Sequence, residues 1–268
     1  MRLKPPHPSL LRVQHSIMAV TVFVLIAAAM VLVTPGGRRA TANIDQCGAS
    51  PEAASLDLPL PHVAQALADG TPVTIIAFGS SSTYGTGASG PDKTYPSRLG
   101  ALLALRFPKS QITVLNRGVG GEVATSTYER IDRDVLADHP TLVIWQVGTN
   151  DVLHDVDPAT TAEVIRAGVR QMKDAGIDVV LMDVQFAPAI LQHPHFRETE
   201  RVIAAEAHAL DVPVIHRFAM MREWADDGRM PLSTMLARDR LHMTDTSYDC
   251  LARQVGRAIV VAARHTRS

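Results

Sequence analysis

The 268-residue chain balances 26 Lys and Arg against 27 Asp and Glu, for a formal net charge of -1, and is 46% hydrophobic. That composition excludes a disordered chain and leaves enough apolar material for a sizeable core. Near-neutrality gives no global pull toward nucleic acid or an anionic membrane, and 4% aromatic residues without basic–aromatic interleaving exclude a nucleic-acid platform.

The first 42 residues stand apart from the rest. Arg2, Lys4 and Arg12 precede an apolar stretch at 17–33 that only Thr21 interrupts, and Ala40-Thr41-Ala42 follows. Basic, apolar, then small residues is the layout of a secretory signal cleaved after Ala42, or of an uncleaved anchor attaching the chain to a membrane through residues 17–33. Both readings export the remainder, as a periplasmic, secreted or membrane-anchored domain. In such an oxidising compartment Cys47 and Cys250 can form one bridge; the alternative is two buried, unpaired thiols. Ile44-Asp45-Gln46 before Cys47 is a poor lipid-attachment signal.

Residues 43–70, with several prolines and short apolar patches, read as a leading arm. From residue 71 to 268 strands and helices alternate. Strands are expected at 73–78, 112–115, 142–147, 178–184 and 212–216. Helical periodicity falls at 95–107, 125–137, 158–175, 197–210 and 246–263, the third opened by Asp157-Pro158 and closed by Gly176. Residues 185–196 read as a long loop and 217–242 as an irregular stretch. This alternation predicts one three-layer α/β/α sandwich with a mostly parallel, five-stranded sheet.

Three expected strand ends carry polar, glycine-rich turns: Gly79–Gly85 with three serines, Asn116–Gly121, and Gly148-Thr149-Asn150-Asp151. In a parallel sheet these ends share one edge, where ligands bind. A serine, glycine amides and an asparagine amide together supply a nucleophile and donors for a developing oxyanion. The serine also needs a base held by an acid. Two Asp-x-x-His pairs offer one, Asp151–His154 and Asp239–His242, and spacing alone does not choose between them.

The ordered set of turns resembles the four signature blocks of the SGNH hydrolases, the GDSL esterase/lipase family, over roughly residues 73–263. Gly79-Ser80-Ser81-Ser82-Thr83 is similar to that family's G-D-S-[LI]-T, Asn116–Gly121 to N-x-G-x-x-G, Gly148–Asp151 to G-x-N-D, and Asp239–His242 to the last block. The resemblance implies a flavodoxin-like sheet and a carboxylic ester hydrolase working through an acyl-enzyme. It implies Ser81 as nucleophile, His242 as base, Asp239 as its orienting acid, and the Ser81 amide, Gly121 amide and Asn150 side chain as the oxyanion hole. It calls for no cofactor and no metal, and for a small-molecule, polysaccharide or lipid ester as substrate. His154 then sits on the wrong block for the base. The pattern departs at Ser80, where an aspartate is usual, and at Ser82, where an aliphatic residue is usual.

Two other readings compete. A non-catalytic, exported carbohydrate- or lipid-binding module on the same fold predicts a broken catalytic set. Gly85–Gly90 satisfies the dinucleotide fingerprint G-x-G-x-x-G, but it opens six positions after the strand end at Gly79 and no acid ends the second strand. His193 and His195 lack the carboxylate or thiolate partners that would complete a metal site. Met220, Met221, Met230 and Met235 read as core filling.

Overall fold

Five β-branched, apolar runs become the strands of the computed structural model, which describes residues 45–264. They are β1 (Val73–Gly79), β2 (Ile112–Gly118), β3 (Leu142–Gln146), β4 (Asp178–Met182) and β5 (Val214–Ile215). All pair in parallel, in the order β2-β1-β3-β4-β5. This is the expected flavodoxin-like sheet. The chain leaves β1 toward β2 on one side and reaches β3 on the other, so a crevice opens at the carboxyl ends of β1 and β3.

The helices, in chain order, are α1 (Pro51–Ala54), α2 (Pro61–Asp69), α3 (Ser81–Tyr84), α4 (Tyr95–Arg106), α5 (Ala124–Tyr128), α6 (Ile131–Asp134) and α7 (Thr149–Leu153). They continue with α8 (Pro158–Asp174), α9 (Pro188–Leu191), α10 (Phe196–Ala209), α11 (Arg217–Asp226), α12 (Leu232–Met235) and α13 (Asp245–Ala262). Register assigns the long ones to faces. Ile75 pairs with Val114 and Phe78 with Trp145, so Val114 and Trp145 project from opposite faces of the sheet. A Cβ at Gly100 of α4 would touch Val114, and one at Gly168 of α8 would meet the Trp145 ring at 2.6 Å. Helix α4, with α13 packed on it, therefore covers one face, and α8, with α10 packed on it, covers the other. The three layers follow.

The segment 43–70 differs from the arm expected. Its described part is built into the domain. Trp224 Nε1 donates to Gly48 O at 3.0 Å, Ser50 binds the Glu223 carboxylate through its amide and hydroxyl, and Asp178 accepts from the Val63 amide at 2.9 Å. Leu60 and Val63 are buried in the common core. Cys47 and Cys250 are joined by a disulfide, with Cα atoms 4.7 Å apart, fastening this segment to α13.

Three further boundaries differ. β2 runs on to Gly118, because Asn116, Arg117 and Gly118 pair with Ala77, Phe78 and Gly79. The single helix expected at 125–137 is broken at Glu129–Arg130, where the chain turns and carries the Arg130 side chain inward. The stretch 217–242 contains α11, whose first turn is capped from a distance: Asp183 Oδ1 accepts from the Phe218 amide at 3.0 Å. The signal reading, Ala42 cleavage and the anchor at 17–33 lie outside the described residues. Among the described residues no helix is long and apolar enough to cross a membrane.

Candidate active site

β1 ends at Gly79, and the chain turns directly into α3, whose first residue is Ser81. Ser82 and Thr83 are buried, so the turn faces outward through Ser81 and Tyr84. The end of β2 lies against this turn. A Cβ at Gly118 would sit 2.1 Å from the Tyr84 amide nitrogen, so only glycine permits the approach. Asn116 fastens the same contact, donating Nδ2 to Tyr84 O at 3.2 Å and accepting from the Gly118 amide at 2.9 Å.

The Asp–His pair arrives from the far end of the chain on a tight hairpin. Leu236 bridges Met243 antiparallel, Ala237 N donates to His242 O at 2.7 Å, and Arg240 N donates to Ala237 O at 2.9 Å. Arg240 takes a left-handed conformation to close it, at φ 57°. Asp239 Oδ1 accepts from the Leu241 and His242 amides at 3.0 Å each, and Oδ2 lies 2.7 Å from His242 Nδ1. His242 Nε2 lies 2.8 Å from Ser81 Oγ. Burial raises the Asp239 carboxyl, but the bonds from His242 and the two amides outweigh it, so its pKa lies below the ordinary carboxylate value. An ionised Asp239 holding Nδ1–H leaves Nε2 as the acceptor facing the serine hydroxyl.

The other turns supply donors. Asn150 lies in the first turn of α7 and gives Nδ2 to Glu122 O at 2.8 Å, which ties its amide to the loop carrying Gly121. Gly121 is exposed and left-handed at φ 82°. Ser81 begins α3, whose N-terminus has no side-chain cap, so its amide remains available. Asp151 couples the second and third turns: its buried carboxylate accepts from Ala124 N at 3.0 Å, Gly148 N at 3.2 Å and Thr161 Oγ1 at 3.2 Å. Burial pushes the Asp151 carboxyl above its ordinary pKa despite these bonds.

Ser80 has a partner that spacing did not reveal. Its amide and hydroxyl both donate to Gln146 Oε1 at 2.9 Å, and Thr83 Oγ1 approaches the same oxygen at 3.4 Å. Gln146 is the last residue of β3, and Arg130, from the break between α5 and α6, donates to Gly79 O at 3.0 Å. Only the strand-end position of Gln146 hinted at a role; nothing in the local sequence marked Arg130.

The remaining candidates lie elsewhere. His154 caps the end of α7, exposed, rather than joining Ser81. His193 Nε2 lies 3.7 Å from Asp155 and His195 is 3.9 Å from Glu198. Among the described residues no group of three His, Cys, Asp or Glu is placed to hold a metal. The four methionines are buried in the core. The Gly85–Gly90 loop is bound to the start of α13: Ser89 N donates to Asp245 at 2.7 Å, Tyr248 OH donates to Thr86 O at 2.8 Å, and Gly87 packs on His242 and Met243. It supports the histidine turn and does not open from a strand end as a dinucleotide loop must.

The parallel sheet and its three strand-end turns are those of the SGNH hydrolase fold. The Non-GDSL lipase-like family matches residues 46–265, and the chain belongs to that family. An arylesterase of Vibrio mimicus is 27% identical over 97 residues, which span 36% of this chain and 48% of that enzyme. A two-domain esterase active on acetylated mannans superposes with a TM-score of 0.67 at 18% identity, over 79% of this chain and 56% of that one. The acetyl xylan esterase AlAXEase superposes with a TM-score of 0.60 at 21% identity, over 70% of this chain and the whole of its own. The chain thus spans about half the length of the first two relatives, and the structural likenesses carry the fold.

Proposed function

We propose that this protein is an exported serine esterase that hydrolyses carboxylic esters through an acyl-enzyme. The observation that carries the reading is the continuous path Asp239 Oδ2–His242 Nδ1 at 2.7 Å and His242 Nε2–Ser81 Oγ at 2.8 Å. Ser81 Oγ attacks the ester carbonyl while His242 takes its proton. The Ser81 and Gly121 amides and Asn150 Nδ2 meet the negative charge that develops on the carbonyl oxygen. His242 then returns the proton to the departing alcohol, and the acyl group remains on Ser81. Water, deprotonated by His242, attacks this acyl-enzyme, and collapse releases the acid and restores the serine hydroxyl.

Esters of acetylated carbohydrate are the substrate class we favour, on the strength of the mannan- and xylan-directed esterases that share the fold. Export rests on the signal-like layout of residues 1–42 and on the disulfide, which is expected in an oxidising compartment. Residues 71–264, with 45–70 packed on them, form the described part of the hydrolase domain. A fluorophosphonate probe should label Ser81, and Ser81→Ala should neither label nor hydrolyse 4-nitrophenyl acetate. Labelling or full activity in the alanine variant refutes the assignment. Rates on nitrophenyl esters from acetyl to palmitoyl then fix the acyl length; a preference for long chains would displace the acetyl reading.

A further inference from the structure

Two of the three oxyanion donors, the Ser81 and Gly121 amides, come from neighbouring loops at the ends of β1 and β2. Gly120 and Gly121 have open space where a Cβ would stand, so the loop is not packed on that side. Constraint has to come from the flanks of the loop. On one side Val119 N donates to Gly79 O at 3.0 Å, and on the other Ala124 N donates to Asp151 at 3.0 Å. Glu122, between Gly121 and Ala124, receives Asn150 Nδ2 on its carbonyl.

One guanidinium spans these parts. Arg130 is 6% exposed. Its Nη2 donates to Gly79 O at 3.0 Å, its Nε to Glu122 Oε2 at 2.7 Å and its Nη1 to Asp134 Oδ2 at 2.9 Å. The Phe78 ring stacks beneath it, its centroid 4.3 Å from the guanidinium carbon. Gly79 leads into Ser80-Ser81, and Glu122 follows Gly121. The two loops whose amides serve the oxyanion are therefore joined through a single planar, forked side chain.

We propose that Arg130 is a positioning residue for the oxyanion hole, setting the Gly121–Glu122 loop against the serine turn by binding Gly79 O and the Glu122 carboxylate together. The inference rests on the esterase reading of the same site. The broken helix at Glu129–Arg130 has its explanation here: a continuous helix at 125–137 would not deliver this side chain under Gly79. The device depends on shape as well as charge. Arg presents several N–H groups in a fixed fork, whereas Lys is a point charge that cannot hold Gly79 O, Glu122 and Asp134 in one plane. Arg130 bonds to Gly79, Glu122 and Asp134 and not to Ser81, so its effect appears in the transition state, through donor placement, and not in ground-state binding.

The test compares Arg130→Lys, Arg130→Met, Glu122→Ala, Glu122→Gln and the Arg130→Lys/Glu122→Ala double variant with the wild type on 4-nitrophenyl acetate. Rates are expressed per site titrated with the fluorophosphonate, so that only folded, labelled enzyme is counted. Arg130→Lys and Glu122→Ala should each lower kcat by roughly 10- to 100-fold with KM within about threefold. Glu122→Gln, which keeps an acceptor for Nε, should recover most of the rate. The double variant should be no slower than the worse single variant, because both changes break one link. The pH profile of kcat/KM should not move. Unchanged kcat per titrated site in Arg130→Lys and Glu122→Ala, or losses that multiply in the double variant, overturns the inference while the esterase reading stands. If Arg130→Met does not fold, those two variants decide alone. A wild type that neither labels nor hydrolyses overturns the esterase reading and this inference with it.

Discussion

Gln146 Oε1 accepts both the amide and the hydroxyl of Ser80, each at 2.9 Å, where β1 and β3 end side by side. This answers what stands in for the aspartate usual at position 80. The acceptor that fixes the serine turn comes from the neighbouring strand, and Ser80 supplies donors to it. A buried amide and hydroxyl left without that oxygen would cost about 1–3 kcal/mol and loosen the turn that carries Ser81. Gln146→Ala should therefore lower both the melting temperature and kcat, the latter by about tenfold or more for even a small displacement of Ser81. Ser80→Asp should be tolerated, because the Gln146 amide can rotate and donate Nε2 to the new carboxylate. Steady-state rates beside thermal melts check both; a Gln146→Ala enzyme as active as the wild type would refute the bracing role.

The contrast between Ser80 and its partner shows what was legible in this sequence. Glycines, serines and asparagine at strand ends are contiguous in the chain, so the three turns and their convergence could be read directly. The Asp239–His242 turn was legible as spacing, and family resemblance was needed to prefer it over Asp151–His154. The braces were not legible. Gln146 meets Ser80, Arg130 meets Gly79, and Asp183 caps α11 at Phe218, each joining segments far apart in sequence through single side-chain bonds. No periodicity records such a partner. Helix α2 was within reach, since Pro61 at its start and Gly70 at its end are ordinary helix boundaries, but its short apolar stripe was lost among the prolines of 43–70.

The hairpin that carries Asp239 and His242 depends on the left-handed Arg240, whose side chain is exposed. That conformation disfavours any side chain and a β-branched one most. Arg240→Gly should keep kcat within about twofold and leave stability unchanged or improved by up to about 1 kcal/mol. Arg240→Val should cost about 1–3 kcal/mol and reduce kcat, as the Asp239–His242 alignment relaxes. Equal rates in the two variants would show that the turn conformation does not set the pair.

The Cys47–Cys250 bridge closes a sequence separation of 203 residues and fastens the 45–70 segment to α13. Its loss frees the unfolded chain, an effect of about 2–5 kcal/mol for a native bridge. Cys47→Ser/Cys250→Ser should shift the urea midpoint downward by a corresponding amount, with kcat at 25 °C held within about twofold while the domain is folded. A variant that melts with the wild type would mean that packing of Leu60, Val63 and the Ser50–Glu223 contact alone secures the segment.

Glu200, on α10, provides a pH-dependent stability term outside the active site. Burial first, and the Asp183 charge second, push its carboxyl from 4.5 to about 7, against the opposing charges of Arg197, Arg222 and His216. His216 is itself raised, chiefly by the Asp183 carboxylate, 3.6 Å from its Nδ1. The folded state therefore holds the Glu200 proton more tightly than the unfolded chain does. The stabilisation is complete below about pH 4.5 and is lost as the pH rises through about 7. Glu200→Gln keeps a neutral side chain at every pH and removes this dependence. With discount for the solvent that reaches the carboxyl, the variant should melt roughly 2–4 °C above the wild type at pH 8 and within about 1 °C of it at pH 5. Thermal melts of both proteins at the two pH values decide it: the same difference at pH 5 and pH 8 would place the titrating group elsewhere.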